Sequence, residues 1–269
     1  ASLGAAGIKV VFLNSGLAPV SIMNRLDFPS GALLRKKQLM ISLDPLAHHL
    51  AAGYILRKQQ HQIKVLMALG VKTSETWFLV LRDIVSRSKG MLDKQSLLQP
   101  NQLQEAYFAR LYFRAVNRLL PLPFRFARRS RNPAMDPANA MLNYGYGILY
   151  ARITNEIRQA NLDPYIGFWH VEQNGHPVLS YDMIEVFRPR LEALVFEGFQ
   201  SGLWKERDFV IEAVDGCTIS HDARQKLAEL LLQSLQEEKN RDGRDPIEEE
   251  VYHLVNRIHR FPLSRHQTL

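Results

Sequence analysis

The sequence predicts a mainly α protein: a large helical domain preceded by the remnant of a small β-rich N-terminal domain. Three observations predict it. The β-branched apolar run IKVVFL, residues 8–13, is the clearest buried strand in the chain. From Lys36 onward apolar residues recur mostly at helical spacing, with Ser, Asp and Pro where helices start. Few good strands follow, and one strand cannot make a sheet. Its partners are therefore expected before Ala1, in a preceding part of a longer or fused polypeptide. The division this implies is residues 1–22 for the end of the β-rich domain, 23–35 for a linker and 36–269 for the helical domain.

Taken in order, residues 15–35 read as loop, carrying Gly16, Pro19, Pro29 and Gly31. Leu46, Leu50, Ile55, Ile63, Val65, Leu66 and Leu69 set a helix over 45–69. Ser74 is placed to cap a helix over 75–87 that ends before Gly90. Another starts at Pro100 or Asn101 and puts Leu103, Tyr107, Leu111 and Ala115 on one face. Pro121, Pro123 and an arginine cluster then form a basic loop. Asp136-Pro137 reads as an N-cap followed by proline at the first helical position, where the missing N–H costs nothing, and opens a helix to about Ala160. Asn174-Gly175 signals a turn. The helix over 180–202 contains Pro189, which is expected to kink or restart it. Residues 209–213 and 217–219 flank Asp215-Gly216 as a small hairpin. Ser220 caps a helix over 221–239, Asp242-Gly243 breaks it, and a last helix spans about 246–260.

Hydrophobic residues make up 46% and charged residues 23% of the 269, the balance of an ordinary folded domain. No apolar run reaches the length of a membrane span, and no charged segment followed by an apolar one opens the chain, so a soluble, intracellular protein is expected. The single cysteine, Cys217, excludes an internal disulfide and a multi-cysteine zinc site, so any metal must be held by His, Asp and Glu. That donor set favours magnesium or manganese. The formal charge of +7 is unevenly spread. Arg125, Arg128, Arg129 and Arg131 crowd one short stretch, while Glu248, Glu249 and Glu250 lie far away, and segregated charge is what a nucleic-acid face requires. There is no GxxxxGK[ST], GxGxxG or GxSxG motif. A Cys217–His221 nucleophile ranks far below a structural cysteine, and His48-His49 reads as helix surface.

Four polar residues suit a hard divalent cation. Asp182 and Glu185, three apart on a helix, share a face and repel unless a cation or an arginine such as Arg188 lies between them. His170 closes the apolar run 166–169, after Gly167, whose missing side chain permits an unusual turn. Glu105 lies among apolar neighbours at the edge of a core. Taken singly, Glu105 reads as a solvated helix acid, His170 as a packed imidazole and Glu185–Arg188 as a surface pair worth about 0.3–0.5 kcal/mol. Spacing alone does not bring the four together.

The order and wording of four segments go further. QEAYFARLYF (104–113), DPANAMLNYGYGILY (136–150), NLDPYIGFWH (161–170) and LSYDMIEVFRP (179–189) resemble, in order, the motifs of the CRISPR-associated spacer-acquisition endonuclease/integrase family, the first CRISPR-associated protein. AAGIKVVFLNSG (5–16) is more faintly similar, and Asn161 stands where glycine is common. The resemblance implies metal ligation by Glu105, His170 and Glu185, support from Asp182, and magnesium or manganese as cofactor. It implies phosphate contacts by Arg125, Arg128, Arg129, Arg131 and Arg188. It also implies a homodimer that joins a small ferredoxin-like CRISPR-associated partner, clamps DNA, and inserts spacers by transesterification. The alternatives are a related transposon integrase on the same fold and a catalytically silent DNA-binding subunit.

Overall fold

A computed structural model describes residues 10–13, 19–23, 31–93, 102–170, 175–212 and 215–262. The start of the first strand, the helix start at Pro100 or Asn101, and Asn174 lie outside them. Strands β1 (Val10–Leu13) and β2 (Pro19–Met23) form an antiparallel pair with Val10 opposite Met23. The partner of the first strand is thus inside the chain, in a stretch the sequence reads as loop. Pro19 disguised it, yet proline is tolerated at the first position of a strand, where its missing N–H breaks no ladder.

The remainder is helical: α1 (Ala32–Ser42), α2 (Pro45–Ala68), α3 (Thr76–Asp93), α4 (Gln102–Leu119), α5 (Pro137–Gln159), α6 (Val178–Gln200), α7 (His221–Glu237) and α8 (Pro246–Arg260). A hairpin of β3 (Phe209–Glu212) and β4 (Gly216–Ile219) sits between α6 and α7, as the Asp215-Gly216 turn predicts. The mainly α class holds. The α1 helix begins inside the stretch expected to be linker, and α3 runs through Gly90 to Asp93 rather than stopping before it.

Helix starts follow local chemistry. Asp44, Asp136 and Asp245 precede Pro45, Pro137 and Pro246, and each aspartate accepts a backbone N–H of the first turn. Ser220 does the same for Ala223. Such caps contribute about 1 kcal/mol each.

The centre of the molecule is α6, packed between α2 and α5. Val178, Met183, Phe187, Leu191, Val195 and Phe199 are all buried on it. It continues past Pro189 without a break, against expectation. Proline there removes one intrahelical hydrogen bond, to the Glu185 carbonyl, and burial against both flanking helices holds the axis together. At the α5–α6 crossing, a methyl added at Gly145 would lie inside van der Waals contact of the Leu191 side chain, so the absent side chain sets how closely the helices meet.

One face was set wrongly. On α4, Leu103 and Tyr107 are exposed, and the buried residues are Phe108, Tyr112, Ala115 and Val116. Glu105 lies one turn before Phe108 on that inward stripe, which turns it toward α2.

Candidate active site

Asp182, on α6, is buried and its carboxylate is fully engaged. Oδ2 accepts the N–H groups of Phe168 at 2.6 Å and Trp169 at 3.2 Å, while Oδ1 accepts that of His170 at 3.1 Å. Oδ1 also lies 2.6 Å from His170 Nδ1. A carboxylate can only accept, so the proton belongs on Nδ1 and the Nε2 lone pair is left to face a ligand. Gly167 makes this possible by close approach rather than by unusual backbone angles. A Cβ there would sit 2.9 Å from Asp182 Oδ2, inside the contact distance.

One helical turn on, Glu185 meets Lys58 of α2. The Lys58 Nζ is 2.6 Å from Glu185 Oε2 and 2.5 Å from Glu105 Oε1, so a single ammonium joins carboxylates of α4 and α6. Lys58 is only 5% exposed. Burial alone would lower its pKa, but the two carboxylates outweigh burial and raise it. Burial likewise opposes ionisation of Glu185, yet Arg188 and Lys58 bring its pKa down to about 2. A positive charge at His170 would act in the same direction, so the imidazole lies within electrostatic range of this carboxylate.

Arg188 Nε lies 2.8 Å from Glu185 Oε1, as an ion pair rather than a well-aligned hydrogen bond. Its guanidinium donates to Tyr150 Oη at 3.0 Å and covers the Tyr146 ring at 4.6 Å. The surface-pair reading of Glu185–Arg188 fails, because Glu185 is buried and Arg188 is only 15% exposed. Arg188, for which the resemblance implies a phosphate contact, is paired with Glu185. Behind it, buried Glu192 accepts from Tyr146 Oη at 2.8 Å and Gln62 Nε2 at 3.0 Å.

The basic loop divides. Arg125, Arg128 and Arg131 are exposed, Arg125 donating to the Leu120 and Arg118 carbonyls. Arg129 instead turns inward, donating to Asn139 and Asn143 of α5 and lying over the Phe113 and Tyr146 rings. It is engaged in packing, and so less open than Arg125, Arg128 and Arg131 to the phosphate contact that the resemblance implies. Cys217 is buried, and burial followed by the charge of Asp136 raises its thiol pKa to about 11, so it is a structural cysteine. His48 and His49 lie half-exposed on α2.

The structure thus gathers Glu105 and Glu185 on Lys58, and His170 on Asp182 one turn away. Among the described residues no three His, Cys, Asp or Glu groups stand close enough to hold a metal ion as they are placed. Sequence reasoning missed Lys58, Gln62, Tyr146 and Glu192. The signal for two of them was present, since Lys58 and Gln62 fall on the same stripe of α2 as buried Ile55 and Val65, where polar residues need partners.

The sequence profile of the family described as CRISPR associated protein Cas1 matches residues 1–233. The chain belongs to the Cas1 family. A CRISPR-associated endonuclease Cas1 of Thermodesulfovibrio yellowstonii is 30% identical over 237 residues, a stretch covering 87% of this Cas1 chain and 74% of that protein. A Cas4 exonuclease/Cas1 endonuclease fusion of Rhodospirillum rubrum is 38% identical over 130 residues, 46% of this chain and 22% of the fusion. A match of 35% identity with a Thermus thermophilus Cas1 spans 41% of that relative, so several relatives are matched over less than half their length. Among solved structures, a Cas1 protein from Thermotoga maritima superposes with a TM-score of 0.75 at 20% identity, over 98% of this chain and 83% of that one. A casposase bound to integration product gives 0.73 at 20% identity, over 95% and 76%. At these identities the superpositions establish the Cas1 fold.

Proposed function

We propose that this Cas1 chain carries the catalytic part of a metal-dependent DNA endonuclease and integrase that inserts short DNA spacers into a CRISPR array by transesterification. The observation that supports it most is the convergence of two carboxylates from different helices, buried Glu185 and half-buried Glu105, on one cation position within electrostatic range of an aspartate-anchored imidazole. The ammonium between two acids supports this reading, because α2, α4 and α6 hold a positive charge at that position. Two carboxylate oxygens and one imidazole nitrogen are a donor set that suits magnesium or manganese. Glu105, Glu185 and the Nε2 of His170 would hold the ion, which would polarise a phosphodiester and stabilise the charge of its displacement.

The chain's own groups supply the rest. Asp182 holds the imidazole in one tautomer and one orientation, the role an outer carboxylate takes for a ligating histidine. Arg188 fixes Glu185 from the side away from Lys58. The exposed guanidinium groups of Arg125, Arg128 and Arg131 are placed to pair with backbone phosphates, which position DNA without reading its sequence. Arg129 shapes the loop that presents them. The partners proposed are spacer-precursor and CRISPR-repeat DNA, a second copy of the chain, and a small ferredoxin-like CRISPR-associated protein, within the prokaryotic cytoplasm. A solved Cas6–RT–Cas1–Cas2 complex is a fold neighbour with a TM-score of 0.70, which agrees with a partner of that kind. No helix among the described residues is long and apolar enough to cross a membrane.

The test is cleavage of a branched DNA substrate in Mg2+ or Mn2+. Glu105→Ala is expected to abolish it with DNA binding retained; a fully active Glu105→Ala overturns the assignment. The casposase neighbour keeps a transposon-type integrase as the second reading, and sequencing of target sites in integration products separates the two.

A further inference from the structure

The residue at the centre of the site is one that no motif names. Lys58 carries the cation that the Glu105 and Glu185 carboxylates share, at 2.5 and 2.6 Å, and its side chain is 7% exposed. The carboxylates are turned to an ammonium. A divalent ion of the magnesium type lies about 2.0–2.1 Å from its oxygens, so an ion seated between these same two oxygens would overlap the ammonium, and the two cations cannot occupy that position at once. Glu185 keeps a second cation, Arg188 on Oε1, whichever occupies the seat. Without any cation there, Glu105 and Glu185 would face each other as like charges in a site with little water, which is costly.

We propose that Lys58 is a resident counter-ion of the site: it occupies the metal seat between Glu105 and Glu185, and a divalent cation binds by displacing its ammonium from between the two carboxylates. This rests on the metal reading of the site given above. The exchange has two consequences. Lys58 lowers the apparent affinity for metal, because entry must break two ion pairs. It also keeps the metal-free protein folded around a ready-made pair of carboxylates, so that α2, α4 and α6 stay in register when no metal is bound. Once displaced, the ammonium remains tethered beside the ion, at the distance of a side chain, where it would meet the phosphate of a bound DNA strand.

Two measurements test this, both with Mn2+ alone as the probe and neither reading activity. In the first, Mn2+ binding to the wild-type chain and to Lys58→Met is followed by the electron paramagnetic resonance signal of the free ion. Lys58→Met, which keeps the length of the stem and removes the charge, is expected to bind Mn2+ at least about tenfold more tightly. It should also melt at a lower temperature in EDTA and gain more from added Mn2+ than the wild type does. In the second, which needs no variant, lysines of the wild type are reductively methylated and mapped by mass spectrometry. Lys58 labelling is expected to be slow in EDTA and several-fold faster in saturating Mn2+, with exposed Lys226 of α7 unchanged as the internal standard. A wild type that binds Mn2+ with Lys58 labelling unchanged overturns the proposal. So does a folded Lys58→Met chain whose Mn2+ affinity is equal or weaker. Absence of Mn2+ binding by wild type and variant alike overturns the metal reading itself, and this inference with it.

Discussion

Asp182→Asn changes one atom and is expected to unmake the histidine side of the site. The carboxylate accepts from four donors, two on each oxygen: Phe168 and Trp169 N–H on Oδ2, His170 N–H and Nδ1 on Oδ1. An asparagine has one oxygen. With its NH2 toward Phe168 and Trp169, both N–H donors lose their acceptor; with its NH2 toward His170, that N–H loses its acceptor and the imidazole must move its proton from Nδ1 to Nε2 to accept instead. Hydrogen bonds to a charged group contribute about 1.5–3 kcal/mol each, so losing the charge together with one or two of these bonds costs on the order of 3 kcal/mol. Asp182 is 1% exposed, so water cannot easily take its place. The cost falls on residues 168–170, which hang from this carboxylate. Hydrogen exchange of the Phe168 and His170 amides reads it directly: about 3 kcal/mol corresponds to a protection loss of roughly two orders of magnitude. Protection in Asp182→Asn within threefold of wild type would refute the reasoning, and with it the claim that Asp182 acts by holding the segment.

Three further outcomes are expected. Glu185 has a pKa lowered to about 2 from the model-compound 4.5, Arg188 and Lys58 outweighing the burial that opposes ionisation, so its contribution to stability is complete above about 4.5 and lost as pH falls toward 2. In EDTA, the acid limb of a denaturation series should therefore be shallower for Glu185→Gln, by on the order of 3 kcal/mol across that window; an identical limb would contradict the pairing. Arg129→Ala should destabilise the fold by about 1–3 kcal/mol through lost bonds to Asn139 and Asn143, whereas Arg128→Ala and Arg131→Ala should stay within about 0.5 kcal/mol in urea unfolding. In DNA binding the order reverses: Arg128→Ala and Arg131→Ala should each reduce the salt slope by about 1 on unrelated sequences, and a changed sequence preference at constant slope would argue against phosphate contact.

What the sequence made legible was local. Asp136 with Pro137 and Ser220 before His221 carry their own capping chemistry, and the helices start where those residues stand. The β2 strand was hidden because Pro19 and nearby Gly16 signal a loop, and only pairing with β1 makes it a strand. The face of α4 was misjudged for a related reason. Leu103 and Tyr107 are apolar, but α2 packs against the other stripe, and partner packing decides which apolar residues are buried. At the site, three of the four family motifs named Glu105, His170, Asp182 and Glu185, and the last two could be placed on one face from their spacing. Spacing put Lys58 on the buried stripe of α2 but gave no sign of its partners, which lie on two other helices, and a lysine in the run KQQHQ reads as solvated. Arg129 was misread because a loop arginine's fate depends on whether asparagines such as Asn139 and Asn143 wait opposite it.

The central claim is that this chain joins DNA through a metal held at Glu105, His170 and Glu185. The most direct measurement is strand transfer: a short duplex with a free 3′-hydroxyl is incubated with supercoiled DNA carrying a CRISPR repeat, the chain and its small partner protein, and joined products are counted. The account predicts joining in Mg2+ or Mn2+ that EDTA and His170→Ala both abolish, while filter binding of the same DNA is largely retained, because the phosphate contacts come from Arg125, Arg128 and Arg131. Joining that proceeds at the wild-type rate in EDTA, or in His170→Ala, would contradict it.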